Sequence, residues 1–315
     1  MNKRVKIYIA GHNGLVGSAV KREFEKRGYN NLIYKDHSEL DLLDNNSVEK
    51  FFDKERPEWV ILSAAKVGGI QGNNTYPVEF FTDNMRIQLN VISNSFKYHV
   101  KKLCFLGSSC IYPREAPQPM KEQYLLSSVL EKTNEMYALA KISGLKLCSA
   151  YNREYGTNYI SVMPCNLYGF NDNYDKHNAH VLPMLIRRFH EAKVMGKNQV
   201  SVWGTGTPLR EFMFADDLAS GIVFCMENIN ASDIEEFINI GTGKEISISD
   251  LAKTIKEIVG FEGDIVYDST KPDGTMRKIM DVSKINSLGW NAKTDLKDGI
   301  KLVYNDFLSN NKIRK

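Results

Sequence analysis

Val5-Lys6-Ile7-Tyr8-Ile9-Ala10-Gly11-His12-Asn13-Gly14-Leu15-Val16-Gly17 is the stretch on which the fold turns. Val5 to Ala10 is short, mostly apolar and rich in strand formers, so it reads as a buried strand. A GxxGxxG turn follows, and a helical pattern runs from Leu15 to about Arg27. Glycines allow a tight turn and a close approach of backbone to a pyrophosphate, while the helix N-terminus offers free N–H groups to the anion. Glycine turns also close ordinary strand–helix loops, and the spacing is not the commoner GxGxxG. The strand–turn–helix frame makes nucleotide binding the favoured reading. Gly11, His12, Asn13, Gly14, Leu15, Val16 and Gly17 are the candidate contacts.

The same alternation continues outward. Strands are predicted at 32–34, 59–62, 102–108 and 159–163. Helices are predicted around Phe51 and Phe52, at 78–100 and at 133–155. Strand alternating with helix predicts a parallel sheet built from βαβ units. After Pro164 the pattern loosens, and Gly, Asn and Asp crowd residues 169–178. Short strands are expected at 200–203, 212–214, 237–240 and 265–267, with helices at 216–227, 248–259 and 295–308. The expected class is α/β: a Rossmann-type doubly wound parallel sheet over 1–168, with a smaller C-terminal α/β lobe over 169–315 interleaved with it. No fixed-period repeat or low-complexity segment is visible.

Composition narrows the function. The chain has 315 residues, 43% hydrophobic and 25% charged, which excludes fibrous and disordered classes. Lys+Arg 41 against Asp+Glu 38 gives a net charge of +3, too small to point to nucleic acid. An anionic small-molecule substrate remains compatible. Cys104, Cys110, Cys148, Cys165 and Cys225 are odd in number and form no CxxC or CxxH pair. A disulfide framework or structural zinc site is therefore not expected, and a reducing compartment is. The N-terminal apolar run is too short for a signal peptide, and no stretch of roughly 18 apolar residues occurs. A soluble cytoplasmic protein without metal or membrane partner is the expectation.

Two further features carry chemistry. The end of the second strand selects the cofactor: an acidic residue accepts the ribose 2′-OH of NAD, and cations favour the 2′-phosphate of NADP. Lys35-Asp36-His37 is ambiguous, since Asp36 argues for NAD while Lys35 and His37 argue for NADP. Tyr137 and Lys141 stand at YxxxK spacing, on one helix face about a turn apart. A lysine ammonium there favours the phenolate, which suits proton transfer near neutral pH. Ser108 ends a predicted buried strand, and the carboxyl ends of parallel strands open onto the ligand crevice.

Together, the glycine turn and the Ser108, Tyr137 and Lys141 set resemble the extended short-chain dehydrogenase/reductases. More closely, the chain resembles the GDP-L-fucose synthase family. The matching segments are AAKVGGIQGNNTYP (64–77), FLGSSCIYP (105–113), TNEMYALAK (133–141), NREYGTNYISVMPCNLYG (152–169), WGTGTPLREF (203–212) and KPDGT (271–275). The resemblance implies that Tyr137 protonates the C4 oxygen of a GDP-4-keto sugar as NADPH reduces C4. It implies that Lys141 holds the cofactor ribose and that Ser108 orients the ketone. Read alone, Cys110 is a small buried residue and His180 a structural one. Within the matching segments they fall on the family's C3/C5 epimerisation acid/base pair, whose residue types titrate near working pH.

The resemblance further places Asp41 and Leu42 beside the adenine. Leu106, Gly107, Pro164, Asn166, Leu167 and His180 fall along the nicotinamide half, and Arg188, Trp203, Arg210 and Asp273 by the GDP-sugar. Arginine suits a diphosphate because its fork matches phosphate oxygens. It also implies a homodimer paired through the helices at about 78–100 and 133–155. The chain departs from the family at Asn13, Lys35 and His37, where arginines are common, so NAD stays open beside NADP. Competing expectations are a C4 reductase of a related sugar such as a GDP-4-keto-6-deoxy-heptose, a UDP-sugar 4-epimerase, and a non-catalytic dinucleotide sensor.

Overall fold

The structure is a computed structural model that describes residues 3–176, 179–271 and 273–310. The first half runs β1 (Ile7–Ala10), α1 (Leu15–Lys26), β2 (Leu32–Ile33), α2 (Asn45–Glu55), β3 (Trp59–Leu62), α3 (Ile70–Thr75), α4 (Pro77–Lys97), β4 (Lys102–Leu106), α5 (Glu135–Tyr155) and β5 (Tyr159–Pro164). The second half runs β6 (Asn166–Tyr168), α6 (Val181–Val194), β7 (Gln199–Trp203), β8 (Leu209–Arg210), β9 (Phe212–Phe214), α7 (Ala215–Asn228), β10 (Ile238–Ile240), β11 (Ile246–Ser247), α8 (Ile248–Val259), β12 (Asp264–Asp268), β13 (Arg277–Lys278), α9 (Ser283–Ser287) and α10 (Leu296–Ser309).

Six strands form a parallel sheet in the order β10-β5-β4-β3-β1-β2. Helices α1 and α7 pack together, as do α4 with α2 and α5, so two helical layers enclose the sheet. Strands covered on both faces read as unbroken apolar runs, and every residue of β1 and β4 is buried. The expected Rossmann-type α/β architecture is present. Strand β10, on the sheet's edge, comes from beyond residue 169, and α7 returns with it. A second core joins α6, α8 and α10 around Phe189, Val202, Leu251, Ile255 and Phe307.

Local chemistry sets the boundaries. Asp44 caps α2 by accepting from Asn46 N and Ser47 N. Pro77 starts α4, where its missing N–H costs nothing. Gly156 and Gly260 end α5 and α8 in the left-handed conformation. Three expectations shift. The helix expected from 133 starts at Glu135, after a 3₁₀ turn at Lys132–Asn134. The strand expected to reach 108 stops at Leu106. Helix α6 was not expected, yet Leu182, Leu185, Ile186 and Phe189 are buried at helical spacing.

Candidate active site

The glycine turn forms a cradle at the carboxyl end of β1. Gly11 has φ +87°, a conformation open to glycine, and its carbonyl accepts from Gly14 N at 3.0 Å. Gly14 begins α1 with extended backbone, no side chain caps the helix, and no acidic residue lies in its first turn. The first amides, at Leu15 and Val16, thus keep their donors for an anion. A Cβ on Gly17 would collide with the Gly11 carbonyl, so only glycine lets the helix approach. These features fit a dinucleotide pyrophosphate. His12 is buried and stacks on Tyr34 at 4.8 Å. Asp41 accepts from Leu43 N at 2.9 Å, and the Leu42 carbonyl accepts from Asn90 at 2.9 Å.

Past β4 the chain turns into the crevice. Gly107 N bonds the Val162 carbonyl at 2.9 Å, and a Cβ there would strike Met163. Ser108 is extended and opens a 3₁₀ turn over Ser109–Ile111, its Oγ accepting from Cys110 N at 3.3 Å. Helix α5 brings Tyr137 up to this turn, where Ser108 and Cys110 are near enough to act on the phenol. Tyr137 is half-buried, on the crevice floor. Burial and then neighbouring Cys110 raise its pKa above the ordinary value, and Ser108 opposes them. Lys141 is 3% exposed and donates to the Leu106 carbonyl at 2.8 Å. Burial pushes its ammonium down to about 8. The ammonium is 5.9 Å from the Tyr137 ring centre and is not among the groups that move the phenol. The expected lysine-driven phenolate is therefore absent in this arrangement; turned to Leu106, the lysine is overruled by burial.

Cys110 stands beside this pair. Its sulfur accepts from Asn134 Nδ2 at 3.4 Å and from Lys278 Nζ at 3.8 Å. Asn134 Oδ1 is buried without a hydrogen-bond partner among the described residues, as befits a group that meets a ligand donor. His180 occupies the N-cap position of α6, without a side-chain cap bond. It is exposed to solvent at its surface side, and desolvation followed by Lys278 lowers its pKa. Ser108, Cys110 and Tyr137 thus meet at the turn after β4, Lys278 stands beside Cys110 and acts on His180, and Lys141 is turned to the Leu106 carbonyl. Sequence reasoning missed Lys278, which sits on a two-residue strand without a pattern. It also assigned no role to Asn134, although that residue lies in the matching segment 133–141.

The substrate candidates form a second cluster in the C-terminal lobe. Arg188 lies 5.2 Å from the ring of Trp203, which is 50% exposed. Arg188 donates to the Ser201 carbonyl at 3.3 Å and Arg210 to the Leu209 carbonyl at 2.8 Å. Burial lowers the pKa of both guanidinium groups, and neither has an ion pair within 4 Å among the described residues. Asp273 partly offsets the burial of Arg210, and two half-buried cations outside any ion pair suit a diphosphate. Asp273 is engaged already: Thr205 N and Oγ1 donate to its two oxygens at 2.7 and 2.9 Å. It shapes the turn around Gly204, which leaves fewer lone pairs for a sugar or base.

Pro164, Asn166 and Leu167 lie where β5 passes into β6. Asn166 donates to the Glu211 carbonyl at 2.8 Å. The Glu211 carboxylate, fully buried, accepts from Thr242 N, Gly243 N and Met280 N at 2.5, 2.9 and 2.8 Å. It is a further residue that sequence reasoning missed, and it ties the strand carrying Arg210 to the chain leading from Lys278. Among the described residues no group of His, Cys, Asp and Glu is arranged to hold a metal ion. Among the described residues no helix is long and apolar enough to cross a membrane.

Comparison with known proteins agrees with this geometry. Residues 7–241 match the NAD dependent epimerase/dehydratase family. GDP-L-fucose synthase 1 of Arabidopsis thaliana is 55% identical over 98% of this chain and 95% of its own. GDP-L-fucose synthase of Escherichia coli (strain K12) is 49% identical over 97% of both chains. The solved GDP-mannoheptose C4 reductase from Campylobacter jejuni with NADP bound is 41% identical, with TM-score 0.90 over 98% of this chain and 100% of its own. A UDP-glucose 4-epimerase from Thermotoga maritima is more distant, at 26% identity. On the cradle, the crevice and these likenesses, the chain belongs to the NAD dependent epimerase/dehydratase family and, within it, to the GDP-L-fucose synthase family.

Proposed function

We propose that this protein converts GDP-4-keto-6-deoxy-D-mannose to GDP-L-fucose, epimerising C3 and C5 and reducing C4 with NADPH. The observation that carries the reading is the placing of Cys110 beside Ser108 and Tyr137: its backbone N donates to the Ser108 hydroxyl at 3.3 Å, and its thiol acts on the Tyr137 phenol. A 4-keto group acidifies the protons on C3 and C5. Cys110 and His180 serve as the base that removes each proton and the acid that returns one to the opposite face. His180, its pKa lowered, is largely neutral at pH 7 and able to accept. Ser108 and Tyr137 donate to the enolate oxygen as charge gathers there. Bound NADPH supplies the hydride for C4. Tyr137, kept protonated by burial, gives its proton to the C4 oxygen. Lys141 is cationic below about pH 8 and stands one turn away to hold a ribose hydroxyl.

Arg188 and Arg210 take the diphosphate and Trp203 the flat face of the base, so the C-terminal lobe reads as the nucleotide-sugar half. The protein works as a cytoplasmic homodimer. Helices α4 and α5, each of 21 residues, pack side by side with Val78 and Leu89 exposed on α4. The 41% likeness to a GDP-mannoheptose C4 reductase supports a second reading, a C4 reductase of a related GDP-4-keto sugar. Incubation with GDP-4-keto-6-deoxy-D-mannose and NADPH, with the product identified by NMR, separates them. GDP-L-fucose supports the first; a C4-reduced sugar with C3 and C5 uninverted supports the second.

A further inference from the structure

The ribose end of the dinucleotide cradle is built around a carboxylate. Asp36 lies three residues beyond the end of β2 and is drawn back onto the glycine turn. Asn13 Nδ2 donates to its Oδ1 at 2.6 Å, and His12 Nε2 stands 3.3 Å from the same oxygen. The turn that receives the pyrophosphate therefore also fixes this carboxylate beside the adenosine ribose. Its side chain is 57% exposed, so it remains reachable by a ligand hydroxyl. A carboxylate at this point accepts a ribose 2′-OH and repels a 2′-phosphate.

The nearby cations are engaged elsewhere. Lys35 Nζ bonds Glu39 at 2.9 Å, and His37 lies 3.7 Å from Asp41. Lys21 rests 4.1 Å above the Tyr34 ring. Burial lowers the pKa of His12, which keeps that ring from acting as a cation for phosphate at neutral pH. Three carboxylates, Asp36, Glu39 and Asp41, thus face two lysines, Lys21 and Lys35. A 2′-phosphate must draw one of these lysines from its present contact and sit close to Asp36; a 2′-hydroxyl requires neither.

We propose that this protein uses NADH as well as NADPH, with Asp36, held by Asn13, receiving the adenosine ribose 2′-hydroxyl. This rests on the dinucleotide cradle and not on the identity of the sugar. The test is calorimetric titration of the full-length protein with NAD⁺ and NADP⁺, without sugar, followed by kcat/KM for NADH and NADPH. The dissociation constants of the two nucleotides are expected to lie within about tenfold of each other. Asp36→Ala should weaken NAD⁺ and tighten NADP⁺, moving the ratio by about tenfold or more. Asn13→Arg should move it the same way by freeing the carboxylate and adding a cation. A wild-type preference for NADP⁺ well beyond tenfold, or a ratio unmoved by Asp36→Ala, would overturn the proposal. Failure of either nucleotide to bind would overturn it together with the cradle. Binding of both without sugar turnover would leave it standing and count against the proposed reaction alone.

Discussion

The ammonium of Lys278 stands 3.8 Å from the sulfur of Cys110, across 168 residues of sequence. It also lowers the pKa of His180, so one cation acts on the surroundings of both candidate proton carriers. A cation placed there stabilises negative charge as a proton leaves C3 or C5. Lys278→Met should slow exchange of those protons with solvent by about 10- to 100-fold. The dissociation constant for NADP⁺ should stay unchanged, because Lys278 lies away from the glycine cradle. Lys278→Arg should recover part of the loss. Proton exchange followed by NMR, beside a nucleotide titration, checks all three.

In the proposed reaction Tyr137 is the proton donor for the C4 oxygen. Tyr137→Phe should lower reduction by about 10²- to 10⁴-fold. It removes one hydroxyl from the crevice floor, so nucleotide binding should persist. Single-turnover oxidation of NADPH at 340 nm gives the rate; near-normal turnover would remove Tyr137 from this role.

The buried ammonium of Lys141 makes a stability prediction whose sign is fixed. Burial pushes its pKa from the ordinary 10.5 to about 8. Between those values the unfolded chain holds a proton that the folded chain has lost. Stability of the nucleotide-free protein therefore rises with pH across about 8 to 10.5 on account of this group. The shift corresponds to roughly 3 kcal/mol as an upper bound. Lys141→Met should be more stable than wild type at pH 7, and its advantage should shrink toward pH 10. Thermal melts of both proteins at several pH values measure this; a constant difference would contradict it.

Glu211 ties the two halves of the site together through three backbone N–H groups. Glu211→Ala would strand these buried donors and should destabilise the fold by roughly 3–5 kcal/mol. Urea unfolding gives the value. Arg210 and Lys278 are both carried by chain that Glu211 holds, so activity at temperatures where the variant remains folded should also fall.

The parallel sheet was legible because its strands are covered on both faces and therefore read as apolar runs. The glycine turn was legible because only glycine satisfies the φ of Gly11 and the close approach at Gly17. Helix α6 went unseen although Leu182, Leu185, Ile186 and Phe189 carry its period. The Asn-, Asp- and Gly-rich segment before it hides its start, and Pro183 lies in its first turn, where a proline is compatible with a helix.

Ser108, Cys110, Tyr137 and Lys141 were found because they lie in long segments whose chemistry depends on spacing. Lys278 and Glu211 were not. Arg277-Lys278 and Arg210-Glu211 look like surface charge pairs in sequence, and only the three-stranded β11-β8-β13 sheet and the 241–243 turn bring them inward. Residue contacts that depend on two-residue strands leave no periodic signal to read.

The central claim is that one crevice both epimerises and reduces. The direct measurement is turnover of GDP-4-keto-6-deoxy-D-mannose with NADPH in heavy water, with the deuterium in the product located by NMR. Deuterium is expected at both C3 and C5, with Cys110→Ser slowing its entry more than it slows reduction. Reduction at C4 with no solvent deuterium at C3 or C5 would contradict it and leave a C4 reductase.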